Sequence, residues 1–73
     1  MADRIVSSPD TLSGKPRIAG TRIAVEMILE DLSAGMTAAE IVEAYPSLSV
    51  EDVQAAVAYA LKLVRAESPS VRR

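Results

Sequence analysis

Between residues 35 and 49 the chain states where one helix must stop and where two must start. Gly35 follows an apolar-periodic run and stands where a glycine ends a helix. Thr37 with Glu40 three residues on forms a capping box, and Met36 before it can staple onto Ile41. Ser49 with Asp52 repeats that grammar, Asp replacing the usual Glu, and Leu48 can staple onto Val53. Pro46 biases Tyr45 away from helical backbone, so the helix opened by Thr37 must be short. These signals predict helices over about 25–34, 37–45 and 49–66.

Hydrophobic spacing agrees with the punctuation. Val25, Ile28, Leu29 and Leu32 fall on one helical face, with Glu26, Glu30 and Asp31 opposite. In the second helix Ala38, Ile41, Val42 and Tyr45 make the buried stripe. The third carries Val50, Val53, Val57, Ala60 and Val64 at heptad-like spacing, with a second apolar row, Ala56, Tyr59 and Leu63, beside it. Between Val53 and Val64 only Gln54 and Lys62 are clearly polar. A helix apolar on most of its girth is buried on more than one side, and two other helices give little cover. A second copy or another protein is the expected cover, with Ala56, Tyr59 and Leu63 as the dimer interface; the alternative is an alanine-rich helix with a tolerably exposed side.

The segment 14–24 is different in kind. It holds Gly14 and Gly20, Pro16, and three of the eight basic residues, Lys15, Arg17 and Arg22. The glycines mark sharp turns, and Pro16 belongs at a sheet edge or a strand start. The simplest expectation is a hairpin with Ala19-Gly20 at the tip, Ile18 opposite Thr21, Arg17 opposite Arg22 and Pro16 opposite Ile23. A type II turn or a longer loop around Gly20 fits equally, because Ala19 disfavours φ > 0. Strand alternation sends Arg17 and Arg22 away from the Ile18/Ile23 face. Upstream, Ile5-Val6 either adds a short strand, with Ser8-Pro9-Asp10 as a turn, or belongs to a partly ordered arm.

Seventy-three residues make one domain near the lower limit for a single core. The expected unit is 1–67, with 68–73 as a basic tail. Cysteine and histidine are both absent, which removes disulfides, thiolate and imidazole metal ligation, and histidine acid–base catalysis. No apolar run approaches the ~18 residues of a membrane-spanning helix, and the default location is the cytoplasm. Net charge is −2, but it is segregated. Residues 1–22 sum to +2, residues 23–61 to −7 without one Lys or Arg, and residues 62–73 to +3. Either these charges satisfy one another, or the basic ends meet an acidic protein surface or nucleic-acid phosphate.

One set of strings carries a family resemblance: Gly14-Lys15-Pro16-Arg17-Ile18-Ala19-Gly20-Thr21-Arg22-Ile23, Ala34-Gly35-Met36-Thr37, Glu40-Ile41, Tyr45-Pro46, Leu48-Ser49, Glu51-Asp52 and Ala58-Tyr59-Ala60. Together, from about Ile5 to Leu63, they closely resemble the short bacterial and archaeal proteins catalogued as domain of unknown function 433. The glycine-rich string is the specific part. Ala24 departs from the pattern, which commonly has proline there. The resemblance implies a homeodomain-like three-helix (helix-turn-helix) unit with a short N-terminal β segment. It implies an antitoxin in a toxin–antitoxin pair, often with a PIN-like ribonuclease as toxin, and supplies no catalytic residues.

The expected function is therefore a non-enzymatic, antitoxin-like homodimer that binds and neutralises a PIN-like toxin. Such nucleases hold Mg²⁺ with clustered carboxylates, where an inserted cation competes with metal and phosphate. Lys15, Arg17 and Arg22, or Arg65, Arg72 and Arg73, are the candidate contacts. The alternative is a DNA-binding regulator of promoter DNA. Helix three would then present Glu51, Asp52 and Gln54 to the duplex, and carboxylates repel phosphate, so the basic arms are the better DNA candidates. An enzyme fits poorly, because the acids lie on expected solvent faces and the chain has little room for a pocket. No cofactor or metal is expected.

Overall fold

The computed structural model describes residues 4–67. The element order is β1 (Ile5–Val6), β2 (Arg17–Ile18), α1 (Val25–Ser33), α2 (Ala38–Ala44) and α3 (Val50–Glu67), so the fold is mainly helical with a short antiparallel strand pair at its N-terminal end.

Local chemistry sets each helix end. α1 starts after Ala24, which offers no capping side chain. The orphan amide of Val25 donates instead to the Pro16 carbonyl at 3.0 Å, so the preceding segment does part of a cap's work. α1 ends in a Schellman arrangement. The Met36 amide reaches the Asp31 carbonyl and the Gly35 amide reaches Leu32, each at 3.0 Å, with Gly35 at φ +101°. Thr37 and Glu40 close a reciprocal capping box: the Glu40 amide donates to Thr37 Oγ1 at 3.1 Å, and the Thr37 amide to Glu40 Oε1 at 2.8 Å. Ser49 and Asp52 do the same for α3, at 3.3 Å and 2.9 Å. Caps of this kind are worth about 0.5–2 kcal/mol each.

The strand pairing differs from the expected hairpin. β2 pairs with β1, in the register Ile5 with Ile18 and Val6 with Arg17, and Arg17 bridges to Ala24 rather than Arg22. Ile18 still donates to the Ile23 carbonyl at 3.0 Å, so Ala19 to Arg22 form a loop wider than a two-residue turn. Within it the Thr21 amide returns to the Ile18 carbonyl at 3.0 Å with Gly20 at φ +81°, the arrangement of a type II turn. Thr21 Oγ1 then accepts from the Ile23 amide at 3.0 Å. Ala19 cannot take the left-handed backbone of a tight hairpin, so the turn moves the positive φ onto Gly20 alone. The Ser8-Pro9-Asp10 turn returns the chain from β1, closed by the Thr11 amide on the Ser8 carbonyl at 3.2 Å. A left-handed turn follows at Leu12–Gly14.

The core is aliphatic, built from Ile18, Val25, Ile28, Ile41, Leu48, Val53 and Ala56. Ile28, Ile41 and Ala56 have no exposed surface. Each helix contributes to this cluster, β2 adds Ile18, and the paired Leu48 and Val53 bring the α2–α3 connection into it. No helix among the described residues is long and apolar enough to cross a membrane.

Gly20 has no heavy atom near the position a Cβ would take, so the cost of substitution there is the backbone's alone. Gly20→Val should lower stability by about 1–2 kcal/mol. Chemical denaturation of the variant beside wild type measures it, and an unchanged midpoint would contradict the left-handed geometry.

Candidate functional site

The basic residues expected to meet a partner divide into three groups. Arg17 is structural. It is half-buried, and its Nη2 donates to Ser8 Oγ at 3.2 Å while Nη1 donates to the Thr21 carbonyl at 3.3 Å. It thus ties the turn after β1 to the Gly20 loop, with its buried Nε lacking an acceptor among the described residues. These two bonds engage within the chain a guanidinium that the sequence alone leaves free for a partner. Lys15 is exposed and pairs with Glu26 at 3.1 Å. Glu26 is therefore held by Lys15 and not by Arg22. Arg22 and Arg65 are exposed and make no ion pair with another described residue. Arg72 and Arg73 lie outside the described residues.

The expected dimer row divides as well. Ala56 is fully buried in the chain's own core, which removes it from any interface. Helical periodicity revealed two apolar faces on α3, and the inner one is covered by α1, α2 and β1. Tyr59 is half-buried and Leu63 is 48% exposed, both on the wall of a groove of about 340 Å³. Leu29, Val25 and Pro16 form much of the opposite wall, with Lys15, Glu26 and Glu67 also lining it. The groove is the core-facing side of α3 continued past the point where α1 ends its cover.

A third feature escaped the sequence reading. Arg4 Nη1 donates to Asp52 Oδ1 at 2.9 Å, while Asp52 Oδ2 accepts from the Ser49 amide at 2.9 Å. Asp52 is buried, so one carboxylate both caps α3 and anchors the start of β1. Burial pushes its carboxyl up, but the Ser49 amide, the Arg4 guanidinium and the Ser49 side chain together hold it below its ordinary value of 3.8. Nothing local to Ser49-Val50-Glu51-Asp52 signals a partner 48 residues away.

With this geometry in view, the comparisons are informative. A family model described as "Protein of unknown function (DUF433)" matches residues 5–60. The chain belongs to this family. The match spans both strands, the Gly20 loop, α1, α2 and the first half of α3, leaving out the exposed end of α3. The DUF433 chain is 39% identical over 56 residues to the uncharacterized protein y4eO of Sinorhizobium fredii (strain NBRC 101917 / NGR234), which covers 77% of this chain and 25% of that protein. It is also similar to the crystal structure of a DUF433 member protein from Anabaena variabilis ATCC 29413. The TM-score is 0.78 at 32% identity, covering 82% of this chain and 59% of that one. The chain thus spans a quarter of the length of the first relative and under two thirds of the second.

The two arginines of the DUF433 string should separate cleanly. Arg17→Ala should cost about 1–3 kcal/mol, the range for losing hydrogen bonds from a charged donor. Arg22→Ala should leave the melting temperature nearly unchanged. Equal effects in parallel thermal melts would put Arg17 back on the surface. Asp52 gives a pH signature. Its folded pKa lies below the unfolded value, so its contribution is present above about pH 4 and is lost as the pH falls through the folded value. Asp52→Asn should lower stability at neutral pH and flatten the acid arm of the stability profile. An acid arm as steep as wild type would show that the carboxylate is not held this way.

Proposed function

We propose that this chain is a non-enzymatic, antitoxin-like protein-binding module that acts as a small homodimer and neutralises a PIN-like ribonuclease. The observation that carries the reading is the open groove between α1 and the far half of α3, where Leu29, Tyr59 and Leu63 offer apolar surface at a charged rim. A groove of this chemistry takes apolar side chains of another polypeptide. The family resemblance supports the kind of partner. Exposed Arg22 and Arg65 supply the cations that would compete with metal and phosphate at a carboxylate-lined nuclease site. At the start of α3, Glu51 and Gln54 are exposed and Asp52 turns inward. Phosphate would meet an acidic helix end there, which disfavours reading DNA through α3.

Co-expression with the neighbouring gene product tests the proposal. A stable complex should co-purify, and the nuclease should lose activity in it. Leu63→Asp should abolish co-purification while circular dichroism stays unchanged, since Leu63 is already half exposed. A complex insensitive to Leu63→Asp would remove the groove from the contact. Binding to promoter DNA that weakens steeply with salt, with no complex formed, would replace the reading with a regulator.

A further inference from the structure

The structure assigns a second surface on α3, which borders the groove at Val64, to a second copy of this chain. Val50, Val57, Leu61 and Val64 are 41%, 45%, 48% and 59% exposed. Their spacings of seven, four and three residues put them on one stripe, bordering Val53 and roughly 80° round the helix from the midpoint of Val53 and Ala56. The stripe runs about 21 Å at 1.5 Å per residue. It is not the row first expected, because periodicity alone cannot say which of two apolar faces the chain keeps for itself.

Charge selects both the occupant and its direction. Glu51, Ala58 and Arg65 are seven residues apart on the flank of the stripe. Glu51 and Arg65 are exposed, and neither makes an ion pair with another described residue. A two-fold axis across α3 near Ala58 carries residue 51 onto 65 and residue 65 onto 51. Two copies packed antiparallel therefore gain the Glu51–Arg65 pair twice, at opposite ends of the seam. The same axis brings Val50 within two residues, about 3 Å along the helix, of Val64 of the second copy, with Val57 beside the axis and small Ala58 permitting close approach. A parallel pair would carry this flank of the two copies to opposite sides of the seam, so Glu51 and Arg65 would not meet. The antiparallel homodimer is the arrangement these charges fit. This inference deepens the homodimeric part of the proposed function and is independent of the nuclease partner.

Sedimentation of the chain alone decides it. Wild type should be dimeric at roughly 10–100 μM, a modest affinity suited to a single helix seam. Val57→Asp should give monomers of unchanged helicity, whereas Leu63→Asp should remain dimeric. Glu51→Arg and Arg65→Glu should each be monomeric alone and should form a mixed dimer when combined, because the antiparallel pair then has opposite charges at both ends. A monomeric wild type overturns the proposal. So do single variants that still self-associate, or singly monomeric variants that fail to associate when mixed. Nuclease binding retained by Leu63→Asp, with the dimer intact, would instead count against the groove.

Discussion

Asp52 is the group on which the rest of this fold depends. A carboxylate taken out of water is tolerated only when its lone pairs are occupied by good donors. Here one oxygen takes the Arg4 guanidinium and the other the Ser49 amide. The local bond starts α3 where Leu48 and Val53 can both reach the core, and the distant one brings β1 across the first turn of that helix. With β1 in place, Ile5 sits opposite Ile18, and Ile18 joins Ile28 and Ile41 in the centre. The domain has no disulfide and few aromatics, so a contact spanning 48 residues adds to what a small aliphatic core must supply against chain entropy.

That contact also marks the limit of what the sequence could reveal. The helices were legible because their signals are local: Thr37 with Glu40, Ser49 with Asp52, and Gly35 each act within four residues. The turn at Gly20 was legible for the same reason. Strand pairing was not, since alternation in Pro16-Arg17-Ile18 is satisfied equally by a partner at 21–23 or at Ile5-Val6. The misplacement of Arg17 follows directly. Once β1 takes the neighbouring position, the arginine expected to point at a partner lies over the loops and binds Ser8 and the Thr21 carbonyl. Ala56 was misread for a related reason. Two apolar rows were visible on α3, but the buried positions Val53 and Ala56 come one from each, and which part of the girth faces inward is decided by where α1 and α2 arrive.

Charge segregation takes on physical meaning in the folded chain. Two cations of the N-terminal segment are spent inside the protein, Arg4 on Asp52 and Lys15 on Glu26. The exposed Lys15–Glu26 pair contributes little to stability. Arg22 and Arg65 remain exposed on the surface. The acidic middle is correspondingly left with Glu51 at the opposite end of α3 from Arg65. The charge along α3 is thus polarised, acidic at the start and basic in its last turns, which also opposes the helix dipole.

The length of α3 explains why one helix serves two surfaces. Its first half completes the core through Asp52, Val53 and Ala56, and the last buried position is reached well before the helix ends. From Leu61 to Glu67 every residue is exposed, yet Leu61, Leu63 and Val64 are among them. A free helix end gains nothing from such residues, since stabilising an isolated helix asks only for good helix formers and a polar face. Leucine and valine placed there gain free energy only when another surface removes them from water. Leu63 faces the groove beside α1, whereas Leu61 and Val57 face away from it, so no single partner surface covers both without wrapping the helix. Two separate contacts are the simpler solution, and the charges beside the outer stripe match a second copy of the same helix running the other way.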